Sequence, residues 1–143
     1  MEDLYYATAN SVSLEEIQIC VKQVGLVSNL YSDREEQYLT INFDCVFEGK
    51  TYKDYWRFHK VTSDARLLDK INTGYHEQSK NLSAFNIQYR PSSIMCMMPF
   101  LRSLLTTYGG WVETMYSDKM YNVSSIDQIV MNIASEQRDK TGD

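Results

Sequence analysis

The sequence predicts a single α+β domain, a mostly antiparallel sheet around a long central hairpin at about 37–60, with helices packed on one face. Three observations predict it. Residues 38–47 alternate apolar and polar side chains with the period of a strand. Stretches near 14–24, near 93–108 and after 124 place apolar residues at helical spacing. The 143 residues are 43% apolar and 23% charged, the composition of one globular domain of ordinary length.

Taken in order, residues 1–11 show no clear period, and Tyr5 and Tyr6 start a short strand or pack as an arm. Ser13 with Glu16 three positions on forms a capping box. Leu14, Ile17, Val21 and Val24 then define a helix at about 14–24, which Gly25 stops as the residue after the cap. Residues 26–32 are aliphatic and aromatic and read as a strand, followed by a charged turn at 32–36.

The strongest signal comes next. Leu39, Ile41, Phe43, Cys45 and Phe47 alternate with Tyr38, Thr40, Asn42, Asp44 and Val46, so one face of the strand is buried and the other polar. Gly49-Lys50 fits a two-residue type II′ turn, because glycine takes positive φ at the first central position. That turn pairs Phe47 with Tyr52, Cys45 with Asp54, Phe43 with Trp56 and Ile41 with Phe58. On the other face it pairs Asp44 with Tyr55, Asn42 with Arg57 and Thr40 with His59. Apolar meets apolar and polar meets polar except at Asp54, which lies near the turn where water reaches it, and a one-residue slip would destroy the match.

Ser63 caps a helix running to about 73. Residues 75–82 are polar and read as a loop, and 83–90 alternates as a strand that Pro91 ends. Ile94, Met97, Met98, Leu101, Leu104, Leu105 and Tyr108 give a helix that starts near 93–98, with a bend at Pro99 left open, and stops at Gly109. Trp111-Val112-Glu113 reads as a strand, with Met120 to Val123 as its hairpin partner. Ser124 or Ser125 caps a last helix carrying Ile126, Ile129, Val130 and Ile133. The polar tail from about 136 is expected to fray. No repeat or linker divides residues 1–143.

Fourteen basic residues against nineteen acidic ones give a net charge of −5. A nucleic-acid binder needs a basic footprint, so that class is disfavoured, as is an anionic membrane surface. No apolar run approaches the roughly 18–20 residues of a membrane span. Met1-Glu2-Asp3 is acidic where a secretion signal is basic, and the expected location is the cytoplasm. Cys20, Cys45 and Cys96 make no CxxC pattern and are expected to be small buried hydrophobes. The sequons at Asn81 and Asn122 carry no meaning in a cytosolic chain.

Candidates for catalysis are thin. His59 falls on the polar face of a strand and His76 in a polar loop, both read as surface residues. No nucleophile elbow, phosphate loop or zinc-protease motif occurs. Gly109-Gly110 follows a helix rather than opening one, so its N–H groups are not aimed at a phosphate. Met95, Met97 and Met98 around Cys96 read as core packing. No cofactor, no metal and no enzymatic activity are expected. The polar face of the hairpin is the candidate for recognition. It gathers Tyr38, Asp44, Tyr55, Arg57 and His59, with the charged turn adding Asp33, Glu35 and Glu36. Tyrosine and arginine are enriched at binding hot spots, and eleven tyrosines against five phenylalanines favour half-exposed aromatic surface.

Phe85-Asn86-Ile87-Gln88-Tyr89-Arg90, the apolar helix after it, Tyr108-Gly109-Gly110-Trp111-Val112 and a capped final helix together resemble the C-terminal halves of small bacterial immunity proteins. These accompany the toxins of contact-dependent inhibition and related systems, and the resemblance spans about 83–135. It implies a non-catalytic cytoplasmic protein that neutralises a cognate toxin domain by direct binding. The chain's acidity suits a toxin domain with a basic face. Two other readings stand beside it: a phage-borne inhibitor of a host defence protein, and a small-molecule-binding or enzymatic α+β domain.

Overall fold

The computed structural model describes residues 1–32, 37–61, 83–115, 117 and 119–140. Seven strands form one sheet in the order β2-β3-β4-β5-β1-β6-β7. They are β1 (Glu2–Thr8), β2 (Val27–Ser32), β3 (Gln37–Phe47), β4 (Lys50–Lys60), β5 (Ser83–Tyr89), β6 (Trp111–Thr114) and β7 (Met120–Tyr121). Every neighbouring pair is antiparallel. Helices α1 (Leu14–Gln23), α2 (Ile94–Tyr108) and α3 (Ile129–Lys140) complete the described fold, which is the α+β class the patterning predicts. The helix expected through about 73, and His76, lie outside the described residues.

The core lies between one face of the sheet and the helices. Leu39, Ile41 and Phe43 of β3, Trp56 and Phe58 of β4, and Phe85 and Ile87 of β5 meet Ile17 and Val21 of α1 and Met97, Phe100, Leu101 and Leu104 of α2. Phe58 and Phe100 lock sheet to helix edge-to-face, their centroids 5.8 Å apart, the geometry that ring quadrupoles favour. Trp56 buries its indole completely and donates its N–H to Ser93 Oγ at 2.7 Å. The Ser93 hydroxyl in turn donates to the Arg90 carbonyl at 2.7 Å. This relay ties the middle of β4 to the turn that launches α2.

The capping box at the start of α1 forms as expected. Glu16 N–H donates to Ser13 Oγ, and Ser13 N–H donates to Glu16 Oε1, both at 3.2 Å. Helix α2 starts at Ile94 after a short 3-10 turn over Pro91–Ser93, and Pro99 lies inside it. Pro99 and Met95 are both exposed. The carbonyl that loses its partner to proline, on Met95, therefore lies on the helix face turned to water. Asn122 organises the entry to the last helix, where the pattern pointed to Ser124 or Ser125. Its Oδ1 accepts from the Ser124 and Ser125 N–H groups at 2.9 and 3.2 Å.

Four features differ from the sequence reading. The hairpin turns at Glu48-Gly49, one residue earlier than expected, so Phe47 pairs with Lys50, Ile41 with Trp56 and Thr40 with Arg57. Both turn residues have positive φ, 52° and 76°, which makes the turn type I′ rather than II′. The offset is two positions along the partner strand, so each residue keeps its predicted face. Second, of the two alternatives for residues 1–11 the strand forms, but it spans 2–8 and lies in the interior of the sheet, paired with β5 on one side and β6 on the other. Buried Glu2, Ala7 and Thr8 blur its alternation.

Third, α3 continues past 136, where fraying was expected. Thr114 Oγ1 donates to Glu136 at 2.7 Å, and Gln137 Nε2 donates to the buried Glu2 carboxylate at 2.9 Å, anchoring the last turns to β6 and β1. Fourth, Cys45 and Cys96 form a disulfide with Cα atoms 5.8 Å apart, where three separate thiols were expected. Strand alternation puts Cys45 on the inner face, and the first turn of α2 carries Cys96 onto it. Cys20 is free and buried, and burial pushes its thiol pKa up.

The junction from α2 to β6 passes close under β1. Gly109 ends the helix with its N–H on the Leu105 carbonyl at 2.9 Å, and its own carbonyl accepts from the buried Tyr6 hydroxyl at 2.9 Å. At Gly110, φ is +87° and a Cβ would stand 2.0 Å from the Ala7 carbonyl oxygen. Only glycine fits there. No helix among the described residues is long and apolar enough to cross a membrane.

Candidate functional site

The outer face of the sheet divides into two halves. Around β5, β1 and β6 it is closed: Ala7, Ala84 and Trp111 are buried, with Tyr5, Val61 and Met120 packed against them. Around β2, β3 and β4 it is half-buried or open apart from the buried Thr40, and here lie the residues the pattern selected. Opposed residues in an antiparallel pair share a face. The register therefore aligns Tyr31 with Tyr38, Tyr38 with His59 and Thr40 with Arg57 across three strands.

These side chains form a continuous ladder. Tyr31 stacks on Tyr38 with centroids 5.0 Å apart. Tyr38 meets the His59 ring at 5.7 Å. The Arg57 guanidinium lies 5.0 Å from the Tyr38 centroid and 5.8 Å from that of Tyr55. Two rings thus hold one cation by attraction to their negative faces, and Arg57 Nε is buried without a hydrogen-bond partner. Tyr55 extends the ladder toward the N-terminus, its hydroxyl donating to Met1 Sδ at 3.5 Å.

Of the predicted site residues, Tyr38, Tyr55, Arg57 and His59 come together in this ladder. Asp44 shares their face but stands nearer the hairpin tip, opposite Lys53. There it lines an open groove of about 340 Å3 with Val27, Asn42, Lys53 and Tyr55. Asp33, Glu35 and Glu36 lie outside the described residues. Tyr31 belongs to the site but was not selected from sequence. The β2–β3 register sets it opposite Tyr38.

The arrangement suits recognition. Tyrosine rings offer rigid, amphipathic contact area, and the arginine fork is preorganised between them. Among the described residues no three His, Cys, Asp or Glu side chains converge as a metal site would require. Compared with known proteins, the chain matches no family model, no curated protein and no solved structure.

Proposed function

We propose that this chain is a binding protein that engages another protein through the open half of its sheet, in the manner of the immunity proteins its C-terminal half resembles. The observation that carries the reading is the Tyr31–Tyr38–Arg57–Tyr55 ladder. It is a row of hot-spot residue types, rigidified by mutual stacking before any partner arrives, and rigidity lowers the entropic cost of association. In this reading Tyr38, Arg57 and Tyr55 are the anchors and His59 buttresses Tyr38. Asp44 supplies acidic complement to a toxin domain with a basic face. The net charge of −5 favours encounter with such a domain. The groove beside Asp44 is open rather than enclosed, a shape that suits a protein partner. The protein would act by occupation, without turnover.

The test is co-purification with the product of the adjacent reading frame, followed by titration calorimetry. A one-to-one complex is expected. Tyr55→Ala and Asp44→Lys should each weaken it at least tenfold, about 1.4 kcal/mol, while the melting temperature stays nearly unchanged. Absence of a complex would reject the reading. So would variants that lose stability yet bind normally, because the ladder would then be structural.

A further inference from the structure

The two edges of the sheet are unlike. β7 closes one edge with only two residues, Met120–Tyr121. The other edge is β2, six residues of sequence VSNLYS, and among the described residues it pairs with β3 alone. Sheet edges are normally protected by charge, proline, a bulge or shortness. β2 has no charged residue and no proline, and it matches β3 residue for residue from Val27↔Asn42 to Ser32↔Gln37 without a bulge. It also exposes two large apolar side chains, Val27 at 65% and Tyr31 at 45%.

We infer that β2 pairs antiparallel with β2 of a second copy of this chain, about a two-fold axis at Asn29, joining two seven-stranded sheets into one. Symmetry and chemistry both select this register. A two-fold axis perpendicular to the sheet keeps each face on its own side, so the summed numbers of opposed residues must be even, and the axis passes through a residue. Centring it on Asn29 sets Val27 against the partner's Tyr31, Ser28 against the partner's Leu30, and Asn29 against its own copy. The two exposed apolar side chains lie equally far on either side of the axis and on the same face. Each therefore covers the other's counterpart, and one contact is made twice, as an isologous interface requires. Centring on Leu30 instead would set Val27 beyond the end of the strand and leave it uncovered. The contact also brings the Tyr31 end of each ladder to the seam, so the two recognition surfaces become one face.

The experiment is sedimentation velocity of the full chain over a concentration series, with three variants. The wild type is expected to dimerise. Asn29→Lys places two like charges directly opposite one another only in the dimer, and should raise its dissociation constant about fivefold with the monomer's melting temperature unchanged. Asn29→Cys should form a symmetric intermolecular disulfide on mild oxidation, because opposed residues in an antiparallel pair have Cα atoms about 4.5–5.5 Å apart. Ser32→Cys should not, because three residues from the axis the two copies stand about 20 Å apart. A chain that stays monomeric throughout the series overturns the inference. A dimer that Asn29→Cys does not cross-link, or that Ser32→Cys cross-links equally well, overturns it too, since the contact then lies elsewhere.

Discussion

Removing the Cys45–Cys96 bond should lower stability by about 4 kcal/mol. The two cysteines are 51 residues apart in sequence, and closing a loop of that length takes roughly 14 cal/mol/K from the unfolded chain, about 4 kcal/mol at 25 °C. With an unfolding entropy of about 2.1 cal/mol/K per residue over the whole chain, this corresponds to a melting temperature lower by about 13 °C. The assay compares thermal unfolding of the oxidised protein, the protein in reductant and the Cys45→Ala/Cys96→Ala double variant. The last two should melt together and well below the first. Thiol counting closes the argument: after denaturation without reductant, one cysteine should alkylate, Cys20, and three after reduction. In the native state Cys20 should alkylate slowly, because burial holds it as the neutral thiol. Three reactive thiols in the unreduced denatured protein, or an unmoved melting temperature, would refute the cross-link. The result also bears on location, since such bonds persist mainly in oxidising compartments.

Further predictions concern the frame that holds the site. Ser93→Ala leaves the buried Trp56 N–H without its acceptor and should cost about 1–3 kcal/mol by denaturant titration; a neutral result would mean that another acceptor takes over. Gly110→Ala must drive a methyl into the Ala7 carbonyl and should cost about 3 kcal/mol or more, read as lost soluble yield or a depressed melting temperature. Alkaline pH should destabilise the fold through Tyr6, whose hydroxyl burial pushes well above the ordinary tyrosine pKa. The unfolded chain releases that proton near pH 10 and the native state holds it. Stability is therefore intact below about pH 10 and falls above it by up to about 1.4 kcal/mol per pH unit. Tyr6→Phe should flatten this slope, and an unchanged slope would remove Tyr6 as its source.

The faces of the hairpin were legible in sequence and its register was not, and one physical fact explains both. Alternation fixes only parity, so a shift of two positions leaves every apolar side chain buried. The true turn seats Glu48 at positive φ, where glutamate is rarely found, and Gly49-Lys50 looked the better turn for that reason. Because parity survived, Tyr38, Tyr55, Arg57 and His59 were selected correctly as neighbours on one face. Tyr31 joins them only through the register of β2 on β3, which sets it opposite Tyr38 and which the residues of β2 alone do not specify. The Cys45–Cys96 contact was beyond sequence patterning, since it depends on where α2 crosses the sheet. β1 was illegible for a different reason. Glu2 and Thr8 are polar yet buried on the same face as Leu4 and Tyr6, held there by Gln137 and the Tyr108 carbonyl, and Ala7 is buried on the other face, so the hydropathy of the segment shows no clean alternation.

The interior position of β1 also constrains how the protein can be made. Its partners on β5 follow 75 residues later (Thr8 to Ser83) to 87 residues later (Glu2 to Tyr89). At a synthesis rate of roughly 5–20 residues per second, the strand waits about 4–17 s for its first neighbour. β6 follows later still, at Trp111 opposite Ala7. The nascent β1, carrying Leu4, Tyr5 and Tyr6, must therefore spend those seconds without its native neighbours, and the sheet can close only after β5 and β6 have left the ribosome. Slow growth of an exposed apolar strand is a setting in which chaperone binding, rather than final stability, limits yield.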